Sequence, residues 1–263
     1  MFVCYLDLVL STCCTIAEIS SGSVRFVQGD LRDPQSLLKA FQYKPTDRLT
    51  SVFHTAAIVD FWSRLPHERQ RVMSINVEGT KHVIEGCIAA GANKLVFASS
   101  STLCVRHNAM THPLKDLNEK QAGIPQPPYV NFYVESKVLS EQLVLEANGK
   151  GNNLCTAAIR PGGIFGPRDE WMASKNMEGV PMLYSPTTQQ DFIYVENVVH
   201  AFLCADNKMK TPTDDVSGQA YFVNNQREPV FYIPFNKAFR DAAGVKCSFV
   251  SPSWMLDVLA FFR

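Results

Sequence analysis

Residues 76–101 read NVEGTKHVIEGCIAAGANKLVFASSS, and two periodicities meet inside them. From Asn76 to Ala90 apolar residues recur at helical spacing, and Gly91 supplies a natural stop. From Asn93 onward the run is short, apolar and aromatic, and it ends in three serines, as a buried strand would. The same alternation extends in both directions. Upstream, SVRFVQGD (23–30) predicts a strand, PQSLLKAFQ a short helix, and LTSVFHTAA (49–57) a strand ending in small residues. Downstream, PPYVNFYVESKVLSEQLVLEA (127–147) predicts a helix with Val134, Val138, Leu139 and Leu143 as its buried stripe. Its Glu135, Ser140, Glu141 and Gln142 are expected to face water or polar neighbours. LCTAAIRPGGIFGP (154–167) then predicts a strand running into a Pro/Gly turn. Strands alternating with helices favour a parallel sheet covered on both faces, an α/β doubly wound architecture that binds ligands at the carboxyl ends of its strands.

Composition agrees with a globular protein. The chain has 263 residues, 46% hydrophobic and 19% charged, with a formal net charge of zero. Disorder is excluded by that content, and balanced charge without a Lys/Arg stripe argues against nucleic acid as a partner. The eight cysteines form no C-x-x-C pair and no zinc-spaced cluster with histidine, so they read as reduced thiols in a cytosol-facing protein with no metal. The opening MFVCYLDLVLSTCCTI lacks a basic flank and is interrupted by Asp7, against a secretory signal. The closing SWMLDVLAFFR is far shorter than the ~20 residues of a membrane span. It reads either as the edge of a core helix or as the start of a membrane-facing segment.

Polar residues gather at the expected strand ends: Gly29-Asp30, His54-Thr55-Ala56-Ala57, Ser99-Ser100-Ser101 and Pro161-Gly162-Gly163. Each alone is ordinary turn chemistry. Together they describe a crevice in which small residues let a flat cofactor approach the backbone, an aspartate accepts from an amino or hydroxyl group, and a serine holds a substrate oxygen. Tyr133 and Lys137, four apart, share one side of the following helix. A lysine near a phenol favours the phenolate and makes the tyrosine a proton donor and acceptor near neutral pH.

GDLRD, VFHTAA, NVEGTKHVIEGC, KLVFASSS, YVESK, RPGGIFGP and DFIYVENVVHAFL occur in this order over nearly the whole chain. In this the sequence resembles the extended short-chain dehydrogenase/reductases, and among them the 3β-hydroxysteroid and C-3 sterol dehydrogenase branch. The resemblance implies a Rossmann-like domain over 1–160 and a mainly substrate-binding subdomain over 161–263, with 191–205 returning to the first. It implies Tyr133 as catalytic acid/base, Lys137 as the residue that lowers its pKa and holds the nicotinamide ribose, and Ser100 as the hydroxyl orienting the substrate oxygen. Ser99 is the alternative in the neighbouring register and lies on the cofactor side. Asp30 and Leu31 resemble adenine contacts, Ala56 and Ala57 lie where the backbone passes the cofactor, Asn76 supports the active-site strand or a water, and Pro161 borders the nicotinamide. Asp7 would accept from the adenosine ribose and repel a 2′-phosphate, which favours NAD over NADP. The activity implied is oxidation of a 3β-hydroxy steroid or sterol, including one that carries a 4-carboxyl group and loses carbon dioxide, on the cytoplasmic side of the endoplasmic reticulum membrane.

One departure stands out. No glycine-rich turn follows a first strand, so the chain reads as starting one βα unit late, with FVCYLDL in the place of the second strand. Without that unit the sheet has unpaired backbone to cover, and pairing with a second copy, as a homodimer, is one way to cover it. Two other readings stay open. Nucleotide-sugar epimerases and flavonoid-type reductases share the Tyr/Lys pair. Outside enzymes, a catalytically silent fragment or binding scaffold fits the missing turn. Phe165, Trp171, Met172, Met177, Met182 and Leu183 supply apolar surface on the substrate side, and only Arg168 and Lys175 would face a substrate pyrophosphate between 165 and 190.

Overall fold

The computed structural model describes residues 27–42, 51–105, 117–122, 126–169, 188–225 and 228–245. Its first helix, α1 (Pro34–Gln42), begins where Asp33 ends a turn: the carboxylate accepts from the Gln35 N–H at 2.9 Å and Pro34 supplies a preset φ. β1 (Ser51–His54) follows, then α2 (Pro66–Met73), a five-residue π-helical turn (Ser74–Glu78) and α3 (Gly79–Ala90). Gly91 closes α3 in the left-handed region at φ 68°, and the Ala92 N–H reaches back to Cys87 O at 2.9 Å. β2 (Lys94–Ala98), a 3₁₀ turn (Ser101–Cys104), α4 (Phe132–Glu146) and β3 (Cys155–Pro161) continue the alternation. Asn131 caps α4, its side chain accepting from the Val134 N–H at 2.8 Å.

β1, β2 and β3 pair in parallel, Ser51 opposite Lys94 and Lys94 opposite Cys155. Together with β7 (Gln219–Val223), they form a sheet in the order β1-β2-β3-β7. β3 is buried along its whole length, as a central strand covered on both faces must be. The core on one side joins Leu37, Val83, Ile84 and Cys87 from α1 and α3 to Leu95, Phe97 and Ala158 from the sheet. Burial pushes the Cys87 thiol up to about 12, which makes it an inert packing group.

Two compact units divide the chain, Met1–Arg160 with Phe202–Phe222, and Pro161–Ala201 with Val223–Arg263. In the second, β4 (Gly163–Phe165) pairs in parallel with β6 (Phe192–Tyr194), and β5 (Gln189–Gln190) pairs antiparallel with β8 (Val230–Phe231). α6 (Tyr232–Ala242) brings Phe235 into a stack on Phe192 at 3.9 Å and an edge contact with Phe165 at 5.2 Å. Phe165 is thus part of this unit's own aromatic core. α5 (Val195–Lys208) links the two units along the chain. Among the described residues no helix is long and apolar enough to cross a membrane.

The strand expected over 23–30 is not seen in its described part. Residues 27–30 have no strand pairing and lead into a turn in which the Asp30 N–H bonds Ser36 Oγ at 2.8 Å. The Asp30 and Asp33 side chains both bond backbone two residues on, an arrangement that competes with a ladder. Asp7, Trp171, Met172, Lys175, Met177, Met182, Leu183 and both terminal segments lie outside the described residues.

Close packing at Gly79 connects this turn to α3: a Cβ there would sit 2.7 Å from Leu31 Cβ. Gly79→Ala should therefore lower stability by about 1–3 kcal/mol, although alanine is the better helix former by about 1 kcal/mol. Urea unfolding of the two proteins checks the sign.

Candidate active site

The end of β2 and one face of α4 build the site. The two elements meet at three successive strand-end residues and three helix residues spaced four apart. Lys137 Nζ donates to Ala98 O at 2.7 Å, Ser99 Oγ donates to Glu141 Oε2 at 2.6 Å, and Ser100 lies beside Tyr133, near enough to pull its phenol down. Ser100 is also the cap of the 3₁₀ turn: its Oγ accepts from the Thr102 N–H at 3.2 Å and lies 2.8 Å from Thr102 Oγ1. Of the two serines weighed from the sequence, Ser100 is the one beside Tyr133. Ser99 serves the helix two turns further on, at Glu141.

Electrostatics at the pair are dominated by burial. Lys137 is only 3% exposed, and desolvation draws its pKa down to about 8 against the opposing pull of Glu141. Tyr133 is also buried, with Phe61 edge-on at 4.7 Å, and burial pushes its phenol up to about 12 although the neighbouring Ser100 works the other way. The sequence expectation had Lys137 drawing the phenol down. In this structure burial dominates and the phenol is pushed up, with the ammonium 5.8 Å from the ring centroid.

Asn76 holds the neighbouring loop from inside the π-helical turn. Its Oδ1 accepts from the Ile58 N–H at 2.8 Å, and its Nδ2 donates to Ile58 O at 3.0 Å and Ser136 Oγ at 2.9 Å. Its backbone oxygen accepts from Thr80 Oγ1 at 2.6 Å and Ser140 Oγ at 2.8 Å. Thr80 gives its single proton to Asn76 O, so the 2.9 Å contact with His54 Nε2 is a donation from the imidazole. His54 is thereby a neutral Nε2–H tautomer, in keeping with a pKa drawn down to about 3 by burial first and by the Lys137 charge second.

The remaining expected residues fall as follows. Ala56 packs half-buried against the core after β1, Ala57 follows it, and Pro161 closes β3. The Leu31 side chain belongs to the core, and Leu31 O accepts from the His82 Nδ1–H at 2.7 Å. The Asp30 carboxylate lies against the exposed Arg32 guanidinium, whose Nη2 is 2.6 Å away, and that hydrogen bond holds Asp30 below the usual carboxylate range. Sequence reasoning missed Glu141 and Arg160. Glu141 is fully buried and receives two hydrogen bonds from Arg160, Nε to Oε2 at 2.9 Å and Nη2 to Oε1 at 2.6 Å. The arginine of RPGGIFGP and a glutamate one helical turn past Lys137 were the available signals.

The family described as the 3-beta hydroxysteroid dehydrogenase/isomerase family matches residues 3–252. The chain belongs to that family. It is 33% identical over 236 residues to an Arabidopsis thaliana 3beta-hydroxysteroid-dehydrogenase/decarboxylase isoform 1, covering 86% of this chain and 50% of the relative. It is 30% identical over 248 residues to a Mus musculus sterol-4-alpha-carboxylate 3-dehydrogenase, decarboxylating, covering 90% of this chain and 63% of the relative. The chain thus spans about half to two thirds of the length of these curated relatives. Among solved structures, a Thermus thermophilus UDP-glucose 4-epimerase complexed with NAD superposes with a TM-score of 0.66 at 23% identity, over 90% of this chain and 75% of that one. A Thermotoga maritima UDP-glucose 4-epimerase gives 0.70 at 18%, over 95% and 76%. At such identities the likeness shows a shared Rossmann-like fold.

Lys137 carries a stability cost. Its folded pKa, about 8, lies below the ordinary 10.5. The unfolded chain therefore binds more protons between those values, and stability should rise with pH across that window and be lowest below it. At pH 7, Lys137→Met should be more stable than the parent by about 1–3 kcal/mol, a difference that denaturant unfolding at pH 7 and pH 10 would read as present and then diminished.

Proposed function

We propose that the protein oxidises a 3β-hydroxyl group on a steroid or sterol with NAD as acceptor, and that Ser100, Tyr133 and Lys137 are its catalytic residues. The observation that carries this is Tyr133 enclosed beside Ser100 with the buried Lys137 ammonium on the same helix, in a chain of this family. The donor set fits a dinucleotide. Among the described residues the acceptor for Lys137 Nζ is Ala98 O, and an ammonium has three N–H bonds, so two can reach the hydroxyls of a ribose. Ala56 and Ala57 present small side chains at the end of β1, where the backbone can approach a flat ring. The preference for NAD over NADP rests on Asp7 in the sequence.

When bound, a nicotinamide supplies the acceptor for the hydride that leaves the carbinol carbon. The substrate hydroxyl sits within reach of Ser100 Oγ and Tyr133 Oη, Ser100 orients its oxygen, and its proton passes to Tyr133 Oη. Lys137 offsets the phenolate charge. Lys137 loses its proton at a pH of about 8, while burial keeps the Tyr133 phenol protonated to higher pH. Above that pH the lysine can take up a proton released at the site, and below it the site can only donate. With a carboxylate on the carbon beside the carbinol, the ketone formed is a β-keto acid whose C–C bond to the carboxylate breaks readily to release carbon dioxide. That step needs no further protein group, and two relatives carry names that state decarboxylation. Family membership and relatives near 30% identity favour a steroid over a nucleotide sugar.

The purified full-length gene product, given NAD and either a 3β-hydroxysteroid or its 3α epimer, should form NADH with the 3β compound alone. Tyr133→Phe should lower kcat by about 10²–10⁴-fold while NADH binding, read by fluorescence, persists; a variant keeping most of its turnover would remove Tyr133 from the chemistry. Oxidation should climb as pH rises through about 8, and reduction of the matching ketone should fall over the same range.

A further inference from the structure

Beyond the catalytic trio, the face of α4 carries a third polar residue in the same row. Tyr133, Lys137 and Glu141 are each four residues apart and meet Ser100, Ala98 and Ser99 in turn. The last rung is the most heavily constrained. Ser99 continues the sheet, its N–H donating to Ile159 O at 2.8 Å, while its hydroxyl donates to Glu141. Glu141 is in turn held in a two-point grip by Arg160 of β3, and Arg160 also lies over the Phe222 ring at 5.2 Å. One carboxylate, with no measurable exposure, thus receives three hydrogen bonds from two adjacent strands and anchors the helix that carries Tyr133.

We propose that Glu141, clamped by Arg160 and Ser99, is a positioning residue that sets the register of α4 against the end of β2, so that Tyr133 meets Ser100 and Lys137 keeps its charge at the site. The proposal rests on the assignment of Tyr133 and Lys137 as the catalytic pair. A buried ion pair adds little stability over apolar residues of the same volume, but its fork geometry admits one arrangement where apolar contacts admit several. A helix free to slide or roll by a fraction of an ångström would separate Tyr133 from Ser100 without unfolding anything. Glu141 also acts through charge. The titratable groups around Lys137 are His54 on β1 and, on its own helix, Tyr133 and Glu141. His54 and Tyr133 are neutral at pH 7, which leaves Glu141 as the anion that opposes desolvation of the ammonium.

Three variants of the full chain test this. Ser99→Ala keeps both charges and releases one rung, and it should lower kcat by about tenfold with KM for the steroid changed less than about twofold. Glu141→Gln should move the Lys137 titration down by about half a unit or more, read by NMR on protein labelled with carbon-13 lysine, the resonance being assigned by its loss in Lys137→Met. Glu141→Gln leaves Arg160 buried alone, so the paired replacement of Glu141→Leu with Arg160→Met serves as the folded counterpart, and it should show the same downward shift. A Ser99→Ala protein with wild-type kcat, or a paired variant in which Lys137 titrates as in the parent, would overturn the proposal. If the parent shows no dehydrogenase turnover, the assignment of activity fails by itself, and the lysine titration still decides whether the clamp governs Lys137.

Discussion

An ammonium group carried out of water at the end of a β-strand is the constraint around which the first unit is arranged. Lys137 has almost no contact with solvent, and such a charge costs several kcal/mol unless the protein replaces its hydration. Ala98 O replaces part of it, available because the ladder ends there. The Phe97 ring, 4.9 Å from Nζ, presents its negative face to the same charge. Glu141 adds an anion one turn along the helix, but it is itself buried and requires a cation, which is Arg160. Arg160 in turn lies against the Phe222 ring. Each group exists in its place because the previous one would otherwise be unpaired.

A second chain of dependence starts from the π-helical turn at Ser74–Glu78. Within it, Asn76 O accepts from the Thr80 and Ser140 hydroxyls, which ties α3 to α4. The Asn76 side chain meanwhile grips both backbone groups of Ile58, so the loop after β1 is held beside the α4 helix through Ser136. The loop is thus fixed by hydrogen bonds to a buried amide, while Trp62 further along it remains 73% exposed.

Much of the architecture was legible in the sequence because its signals are local. The α3 pattern ending at Gly91 and the short apolar run of β2 both stand where their residues predict. The strand expected over 23–30 failed in its described part because Asp30 and Asp33 bond their own following amides, a competition that β-branched content does not reveal. Positions around the site were legible only through the order of motifs. The two adjacent serines differ by which way the strand end points them, and Ser99 is turned toward Glu141, a partner 42 residues on.

Glu141 itself shows why periodicity ran out on α4. The polar residues Ser136, Lys137, Ser140 and Glu141 are all buried, as are Tyr133, Val134, Val138 and Val144. A helix enclosed on most of its surface has no solvated face to set against an apolar one, so alternation of polar and apolar residues no longer tells outside from inside. Polar groups in such a helix face other polar groups of the core, and their partners lie far away in sequence: Asn76 for Ser136 and Ser140, Ala98 for Lys137, Ser99 and Arg160 for Glu141. A buried polar network of this kind is a poor route to stability, because each member must be satisfied before the next can be. It is a good route to uniqueness, because hydrogen bonds between fixed strands and a fixed helix face tolerate no sliding. The part of the fold hardest to read from the sequence is thus the part that holds Tyr133, Ser100 and Lys137 together, and the same directionality explains both facts.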